Sequence, residues 1–232
     1  MSVIVVGAVH GAPGATTLAL DLARRCGDAA LLIEADPDGG SLAARLDLAL
    51  KPGLMELAGA ARMGIEVGDV WKYAQATSLG VAVVVAHPAA EQTHAALRAA
   101  AHHIASAVSR LDVTVVIDVG RLRPGSPALG AAASADHTII VSDNSVEAIV
   151  ALTHRAHVIS AFGSPLVVLN QSRPYSVAEI TTATRQRVWG VVPQARTRRA
   201  HRSRAVALDD LLTVLDSSEI FPAFTQDLAA NA

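Results

Sequence analysis

The sequence predicts an α/β domain in which helices flank both faces of a mainly parallel, twisted sheet. Two observations favour this fold class. Hydrophobic residues make up 51% of the chain and aromatic residues only 3%, so Ala, Val, Leu and Ile must fill the core, as in strands buried between helix layers. Short apolar runs also alternate with alanine-rich stretches of helical periodicity, which is typical of successive βαβ units and a parallel sheet.

The elements follow one another along the chain. Residues 3–6 are predicted to form a strand, residues 16–25 a helix and residues 30–33 a second strand, which together make one βαβ unit. Between residues 39 and 79 glycines and prolines interrupt the apolar pattern, which predicts short helices joined by turns. A long helix is expected over residues 89–110. Further strands are expected in five apolar runs, at residues 81–86, 113–117, 137–141, 166–169 and 188–192.

Length and segment composition limit the class of protein. With 232 residues and 23.9 kDa, the chain can form one sizeable core, so we expect a single domain over residues 1–232. The longest apolar runs are far shorter than the ~20 residues that cross a bilayer. The opening MSVIVVGAVH has no basic segment before its apolar stretch, which predicts a cytoplasmic protein rather than an exported one. Residues 221–232 lack a basic amphipathic pattern, so membrane insertion is not expected.

The segment between the first strand and the first helix has the composition of a phosphate-binding loop. Such a loop needs inward-pointing backbone N–H groups and small residues that let a phosphate approach, and Gly11, Ala12 and Gly14 meet this need. Thr16 offers a hydroxyl group to a magnesium ion, but the lysine that usually reaches the outer phosphates is absent. The alternative is a tight turn in which Thr16 or Thr17 starts the helix and no ligand binds.

The whole segment, HGAPGATT, resembles the deviant Walker A loop of the MinD/ParA superfamily of P-loop ATPases, which reads K-G-G-x-G-K-[ST]-[ST]. His10 and Ala15 occupy the two lysine positions, and histidine does not carry lysine's permanent charge at neutral pH. Loss of the second lysine makes the loop similar to those of the CpaE/TadZ pilus-localisation proteins and the actinobacterial septum-site-determining proteins. The resemblance implies that a nucleotide's phosphates bind at His10, Gly11, Ala12, Pro13, Gly14, Ala15, Thr16 and Thr17.

Two further segments resemble the acidic motifs of this superfamily. The sequence LLIEADPDGG, residues 31–40, resembles LLIDADPQG, which implies that Glu34 lies near a magnesium ion and that Asp36 positions the attacking water. The sequence VTVVIDVGR, residues 113–121, resembles the Walker B strand and places Asp118 beside the metal, with Gly120 where the CpaE/TadZ branch often has proline. The implied magnesium site is therefore Thr16, Glu34 and Asp118. Turn and capping roles for Asp36 and Asp118 are the alternative.

Two late segments resemble the adenine site. The sequence PLVVLNQSR, residues 165–173, resembles the strand that ends in the adenine-reading asparagine, which makes Asn170 the candidate. The sequence WGVVPQ, residues 189–194, resembles the segment that places Pro193 beside the base. Taken alone, Asn170 is equally compatible with a role in a turn.

A basic stretch at residues 196–204 is the sharpest charge feature in a chain of formal net charge −2. It fits a solvated helix face, and it also fits contact with DNA phosphates. DNA binding requires that its arginines share one exposed face. These are Arg196, Arg198, Arg199, Arg202 and Arg204.

Three functions remain open at this point. The first, implied by the resemblance, is a homodimeric spatial regulator that binds ATP or ADP weakly with Mg²⁺ and recruits protein partners of a pilus, secretion or cell-division machine. The second is a pseudo-ATPase scaffold that binds no nucleotide. The third is a nonspecific DNA-binding protein of the partition type. Hydrolysis is expected to be slow or absent in all three, because phosphoryl transfer depends on charge stabilisation and the loop has no lysine.

Overall fold

A computed structural model of the protein describes residues 2–11, 13–27, 30–132, 134–160, 165–195 and 197–216. The strands are β1 (Val3–Ala8), β2 (Leu31–Glu34), β3 (Gln75–Ala76), β4 (Ala82–Val84), β5 (Val115–Arg121), β6 (His137–Ser142), β7 (Leu166–Leu169) and β8 (Val188–Val191). The α-helices are α1 (Ala15–Arg25), α2 (Leu42–Leu46), α3 (Leu54–Met63), α4 (Ala90–Val108), α5 (Ala128–Ala131), α6 (Val146–His154), α7 (Ala156–Ser160), α8 (Val177–Thr184) and α9 (Arg198–Asp216). A 3₁₀ helix spans Val67–Tyr73.

The strands of the described residues form one sheet in the order β3-β4-β2-β5-β1-β6-β7-β8. Every neighbouring pair is parallel except β3 and β4, which run antiparallel. The fold class predicted from the sequence is therefore confirmed. No helix among these residues combines the length and apolarity needed to cross a membrane.

Two apolar layers cover the sheet, one on each face. Successive strand residues point to opposite faces, so in β1 Val3 and Val5 enter one core while Ile4 and Val6 enter the other. The first core includes buried residues of α3, α4, α5, α6, α7 and α8. The second includes buried residues of α1, α2 and α9. This arrangement confirms the prediction of helices on both faces.

The strand β3 is absent from the sequence-based prediction. It has two residues and no apolar run, and its Gln75 side chain attaches it to the preceding loop through three hydrogen bonds. The Gln75 amide nitrogen donates to the carbonyl oxygens of Ala49 and Pro52 over 2.8 and 2.7 Å, and its oxygen accepts from the Ala49 N–H group. These contacts join residues more than 20 positions apart, so local periodicity could not reveal them.

The strand order places the predicted motifs at the carboxyl edge of the sheet. The chain leaves β5 on one side of β1 and enters β6 on the other, so strand order reverses across β1. Open α/β sheets bind ligands at such a reversal, beyond the carboxyl ends of their strands. The β2–β5 ladder ends there with the pair Glu34 and Asp118, and an irregularity opposite Val6 and Ala8 lets β5 continue to Arg121.

Candidate functional site

The phosphate loop joins β1 to α1, as predicted. Gly14 is the residue before the helix, with φ of 97°, and Gly11 within the loop has φ of 60°. Both angles lie in the left-handed region that favours glycine. Ala12 lies outside the described residues. The helix begins at Ala15, before Thr16 and Thr17, and no side-chain hydrogen bond from a described residue caps it, so neither threonine starts or caps α1.

The first turn of α1 faces this loop without a neutralising charge. It contains no acidic side chain, and no side chain caps its N-terminal N–H groups among the described residues. The positive end of a helix dipole with free N–H groups attracts an anion. Ala15 is 7% exposed and its side chain belongs to the apolar core, so a cationic group is missing at the position where a Walker lysine would stand.

Asp118 is fully buried beside Thr16. The strand β5 continues three residues past it, so Asp118 lies at the end of the β2–β5 ladder rather than at the end of its strand. Its Oδ1 accepts a hydrogen bond from the Gly120 N–H group over 3.1 Å. Its Oδ2 has no hydrogen-bond partner among the described residues, although the Thr16 hydroxyl is close enough to lower the pKa of the carboxyl group.

Burial dominates the electrostatics of this carboxyl group. It raises the pKa of Asp118 from its ordinary value of 3.8 to about 7. The nearby Thr16 hydroxyl and the Gly120 N–H group oppose the rise, and the negative charges of Asp36 and Glu34 add to it. A group of carboxylates under mutual repulsion gains stability when a cation enters.

Asp36 lies two residues beyond β2 and packs against Gly120. Its Oδ1 accepts from the Asp38 N–H group over 2.8 Å. A Cβ atom on Gly120 would lie 2.0 Å from Cγ of Asp36, so the glycine makes room for the carboxylate. Burial raises the pKa of Asp36, and the nearby guanidinium groups of Arg121 and Arg123 partly oppose this effect. Asp36 therefore stands close enough to Asp118 for its charge to raise the pKa of Asp118, and the catalytic role of Asp36 stays a prediction.

Glu34 is buried and its carboxylate already accepts three backbone hydrogen bonds. Oε1 accepts from Ser41 and Leu42 over 2.7 and 2.9 Å, at the start of α2. Oε2 accepts from Ala86 over 3.0 Å, just beyond β4. Burial raises the pKa of Glu34 although these hydrogen bonds lower it. The contacts support a structural role in joining β2, α2 and β4, and the role of Glu34 as a metal ligand stays a prediction.

A cavity of about 540 Å³ opens beside the loop, on the side of Asn170. Pro13, Gly14 and Thr17 contribute to its wall, together with Asn170 and Val192. Asn170 is 7% exposed and donates from Nδ2 to the Pro13 carbonyl oxygen over 3.0 Å. Its Oδ1 has no partner among the described residues, so one acceptor beside the cavity is free.

Pro193 stands behind the cavity rather than in its wall. Its neighbours Val192 and Gln194 line the cavity, while its carbonyl oxygen accepts from Nη1 of Arg204 over 3.0 Å. The structure thus brings the segment of Pro193 close to Asn170, and the direct contact of Pro193 with a base stays a prediction.

Arg204 corrects the interpretation of the basic stretch. It is 9% exposed, and its Nε donates to Oδ2 of Asp21 on α1 over 2.7 Å. Arg198, Arg199 and Arg202 are exposed on α9, and Arg196 lies outside the described residues. The arginines therefore do not share one exposed face, and Arg204 belongs to the cavity wall. Its spacing from Leu208, Leu211 and Leu215, which mark the buried stripe of α9, was the available signal.

Two further arginines contact the loop and were missed by sequence reasoning. Nη2 of Arg45, on α2, donates to Oγ1 of Thr17 over 3.3 Å. Nη1 of Arg155, at the end of α6, donates to the carbonyl oxygen of Val9. Both contacts join distant segments, so no local pattern indicates them.

The donor set fits a cation that takes most of its ligands from elsewhere. No group of three or more His, Cys, Asp or Glu side chains is arranged to hold a metal ion in the described part of the chain. Magnesium is commonly held by one or two carboxylates together with phosphate oxygens and water. Asp118 with its unpartnered Oδ2, next to the Thr16 hydroxyl, meets that requirement.

Solved structures of other proteins share this fold. A ParA family ATPase from Chlorobium tepidum TLS matches with a TM-score of 0.70 and 16% identity, over 93% of this chain and 94% of the other. The septum site-determining protein MinD from Pyrococcus horikoshii OT3, complexed with Mg-ADP, has a TM-score of 0.70 and 16% identity over 93% and 96%. Cobyrinic acid a,c-diamide synthase from Mycobacterium smegmatis, with a bound ATP analogue and magnesium, has a TM-score of 0.70 and 19% identity, over 94% of this chain and 96% of the other.

These likenesses establish the fold of the chain. Models of known protein families give no match, and a sequence search of curated proteins gives no significant match. The chain has the fold of the ParA and MinD ATPases, which confirms at this level the resemblance drawn from its motifs. A synthase shares the fold, so the function must be argued from the site.

Proposed function

We propose that the chain binds ATP or ADP with Mg²⁺ at the carboxyl edge of the sheet and acts as a spatial regulator of the ParA/MinD type. Two buried acceptors without partners among the described residues, Oδ2 of Asp118 and Oδ1 of Asn170, carry the proposal. A buried acceptor left without a partner costs about 1–3 kcal/mol. A magnesium ion would satisfy the first and the amino group of adenine the second, so one ligand accounts for both.

Each residue then has a defined task. The N–H groups at the start of α1, after Gly14, bind phosphate oxygens, and Asn170 reads the base from the cavity wall. Thr16 and Asp118 hold the ion, which would neutralise phosphate charge when bound. Asp36 orients water, held in place by its contact with Gly120 and by the Asp38 N–H group.

Turnover is slow or absent in this proposal. Phosphoryl transfer depends on cationic groups that stabilise charge on the transferred group. The loop has neither of the two lysines that the Walker A loop of the resembling superfamily carries. A protein that leaves its bound nucleotide uncleaved suits a localisation role better than a catalytic one. We infer a cytoplasmic homodimer that recruits protein partners of a pilus, secretion or cell-division machine, as the motif resemblance to the CpaE/TadZ branch implies.

A second candidate is nonspecific DNA binding. Arg198, Arg199 and Arg202 are exposed, and Arg202 follows the other two by four and three positions on α9, so it shares a face of that helix with each of them. Three phosphate contacts give weak binding that falls as salt is added.

Titration calorimetry with ATP and ADP, with and without Mg²⁺, tests the nucleotide proposal. The variants are Ala15→Lys and, as a control of similar length without charge, Ala15→Met. We expect weak, Mg²⁺-dependent binding by the wild type. We expect roughly tenfold tighter binding by Ala15→Lys, because a charge-assisted hydrogen bond contributes about 1.5–3 kcal/mol. Ala15→Met should not bind more tightly than the wild type.

The opposite outcome supports the nucleotide-free scaffold. If neither the wild type nor Ala15→Lys binds nucleotide, the new lysine only buries a charge, and the melting temperature of this variant should fall below that of Ala15→Met. That pair of results would reject the nucleotide proposal.

A further inference from the structure

The phosphate loop lacks lysine, yet two guanidinium groups from other elements reach its two ends. At the far end, Nη2 of Arg45 donates to Oγ1 of Thr17, in the first turn of α1. Thr17 is exposed and contributes to the wall of the 540 Å³ cavity, so the Arg45 side chain stands at the open side of the loop.

At the near end, Nη1 of Arg155 donates to the carbonyl oxygen of Val9, directly before His10. Arg155 ends α6, which follows β6 on the opposite side of β1 from β5. Its side chain is half-buried, so the contact draws a cation toward the loop from the other face of the sheet.

Neither arginine is neutralised by a carboxylate in the described part of the chain. Other arginines around the site are neutralised by carboxylates. Arg24 and Arg204 pair with Asp21, and Arg123 pairs with Asp38. Arg45 and Arg155 instead donate to neutral oxygens of the loop. Each guanidinium has five N–H donors in a fork that fits phosphate, and the contact described here uses one of them.

We propose that Arg45 and Arg155 supply the positive charge that lysines give in other phosphate loops, by binding phosphate oxygens of the nucleotide. This inference rests on the proposed nucleotide function. The hydrogen bonds to Thr17 and Val9 hold the two guanidinium groups at the ends of the loop, and their remaining donors and whole charge are left for the anion. The charge has moved from the loop to α2 and α6.

Calorimetric titration of the full chain with adenosine, AMP, ADP and ATP in the presence of Mg²⁺ tests the proposal. The variants are Arg45→Gln and Arg155→Gln, which keep a polar side chain without charge. Arg62→Gln on α3 is the matched control, because Arg62 is exposed and α3 packs against α4. We expect each of the first two variants to weaken ATP binding about tenfold, because each loses a charge-assisted hydrogen bond to a phosphate oxygen.

The loss should grow with the number of phosphates and should be absent for adenosine. Arg62→Gln should match the wild type, and Arg45→Lys and Arg155→Lys should retain most of the ATP affinity. Equal weakening for adenosine and ATP would show a merely structural role in shaping the loop and would overturn the inference. So would unchanged ATP binding by both glutamine variants.

The same titrations separate this inference from the function on which it rests. A wild type that binds no nucleotide rejects the proposed function, and the arginine proposal with it. A wild type that binds ATP as tightly as Arg45→Gln and Arg155→Gln rejects the arginine proposal alone. Melting temperatures of all variants identify any loss of affinity caused by unfolding.

Discussion

Gly120 shows how a single residue arranges the acidic side chains of the site. Its φ of 58° lies in the left-handed region, which excludes proline, whose φ is fixed near −65°. The space that a Cβ atom would fill is occupied by the Asp36 carboxylate. Gly120 also donates its N–H group to Asp118. Where the resembling proteins often have proline, this chain thus has a glycine that contacts both Asp36 and Asp118.

We predict that Gly120→Ala destabilises the protein more than Gly125→Ala does. Both positions have positive φ, which costs an alanine roughly 1–2 kcal/mol. Only at position 120 does the added methyl group also collide with Asp36, since nothing lies within 4 Å of a Cβ atom on Gly125. Chemical denaturation of the two variants measures the difference. Equal free energies of unfolding would show that Asp36 moves aside without cost.

Asp118 makes a prediction about pH. Burial raises the pKa of Asp118 to about 7 in the folded chain, against 3.8 as its ordinary value. Below about pH 4 the carboxyl group is protonated in both states, and its contribution to stability is fully present. As the pH rises toward 7, the unfolded chain releases the proton that the folded chain keeps. The folded state therefore loses stability over this range, by roughly 4 kcal/mol at most.

Asp118→Asn removes this loss, because an amide does not ionise. In metal-free buffer the variant should be more stable than the wild type at pH 8, and the two should converge near pH 4. Free energies of unfolding measured from pH 4 to pH 8 check this. Parallel profiles across the whole range would contradict the assigned pKa of Asp118.

At the scale of elements, α9 is held against α1 by two ion pairs and a shared apolar core. Leu208, Leu211 and Leu215 pack into the core that α1 shares, and Arg204 continues this stripe with its ion pair to Asp21. Arg25 of α1 also pairs with Asp209. The basic stretch at the start of α9 is therefore divided between two environments. Arg204 is buried against the cavity, and the other described arginines of the stretch are exposed.

We predict that Arg204→Ala costs about 2–4 kcal/mol of stability, because it leaves the half-buried Asp21 with only its 3.9 Å contact to Arg24 and frees the Pro193 carbonyl group. Arg202→Ala, two positions away and exposed, should change stability by less than about 0.5 kcal/mol. Urea denaturation compares them. A similar small effect for both would show that α9 is held by its leucines alone.

The elements also show where sequence reasoning succeeds. The strand Leu166–Leu169 was predicted with its observed bounds and β1 with its observed start, because continuous apolar runs between turn residues mark strands buried on both faces. Periodicity fails where a contact links distant segments. It could locate Glu34 at the end of β2, but the three N–H groups that meet its carboxylate come from residues 41, 42 and 86.

The interpretation of Arg204 was wrong because it treated the basic stretch as one continuous surface. A run of charged residues suggested a solvated face, whereas the 3.6-residue period separates its members. Sequence reasoning missed Arg45 and Arg155 for a different reason, because nothing near them in the sequence resembles a phosphate-binding motif. The motifs predicted which segments meet at the carboxyl edge of the sheet, whereas the contacts of Arg45 and Arg155 join segments that are distant in the sequence.

At the scale of the whole molecule, both faces of the sheet contribute to one site. Thr17 and Arg45 come from α1 and α2 on one face, and Arg155 comes from α6 on the other. Because these contacts reach the loop from both faces of the sheet, they require both cores to be formed. Its integrity is therefore tied to the cooperative folding of the domain.

The two border strands of the sheet that the described residues form limit how copies of this chain can associate. One border is β3, only two residues long, and the other is β8, whose pairing with β7 has a register irregularity near Val188 and Gly190. Short or bent border strands offer few aligned N–H and C=O groups to a strand of a neighbouring molecule. Any assembly of this protein should therefore form through helices and loops, and not through a continuous intermolecular sheet.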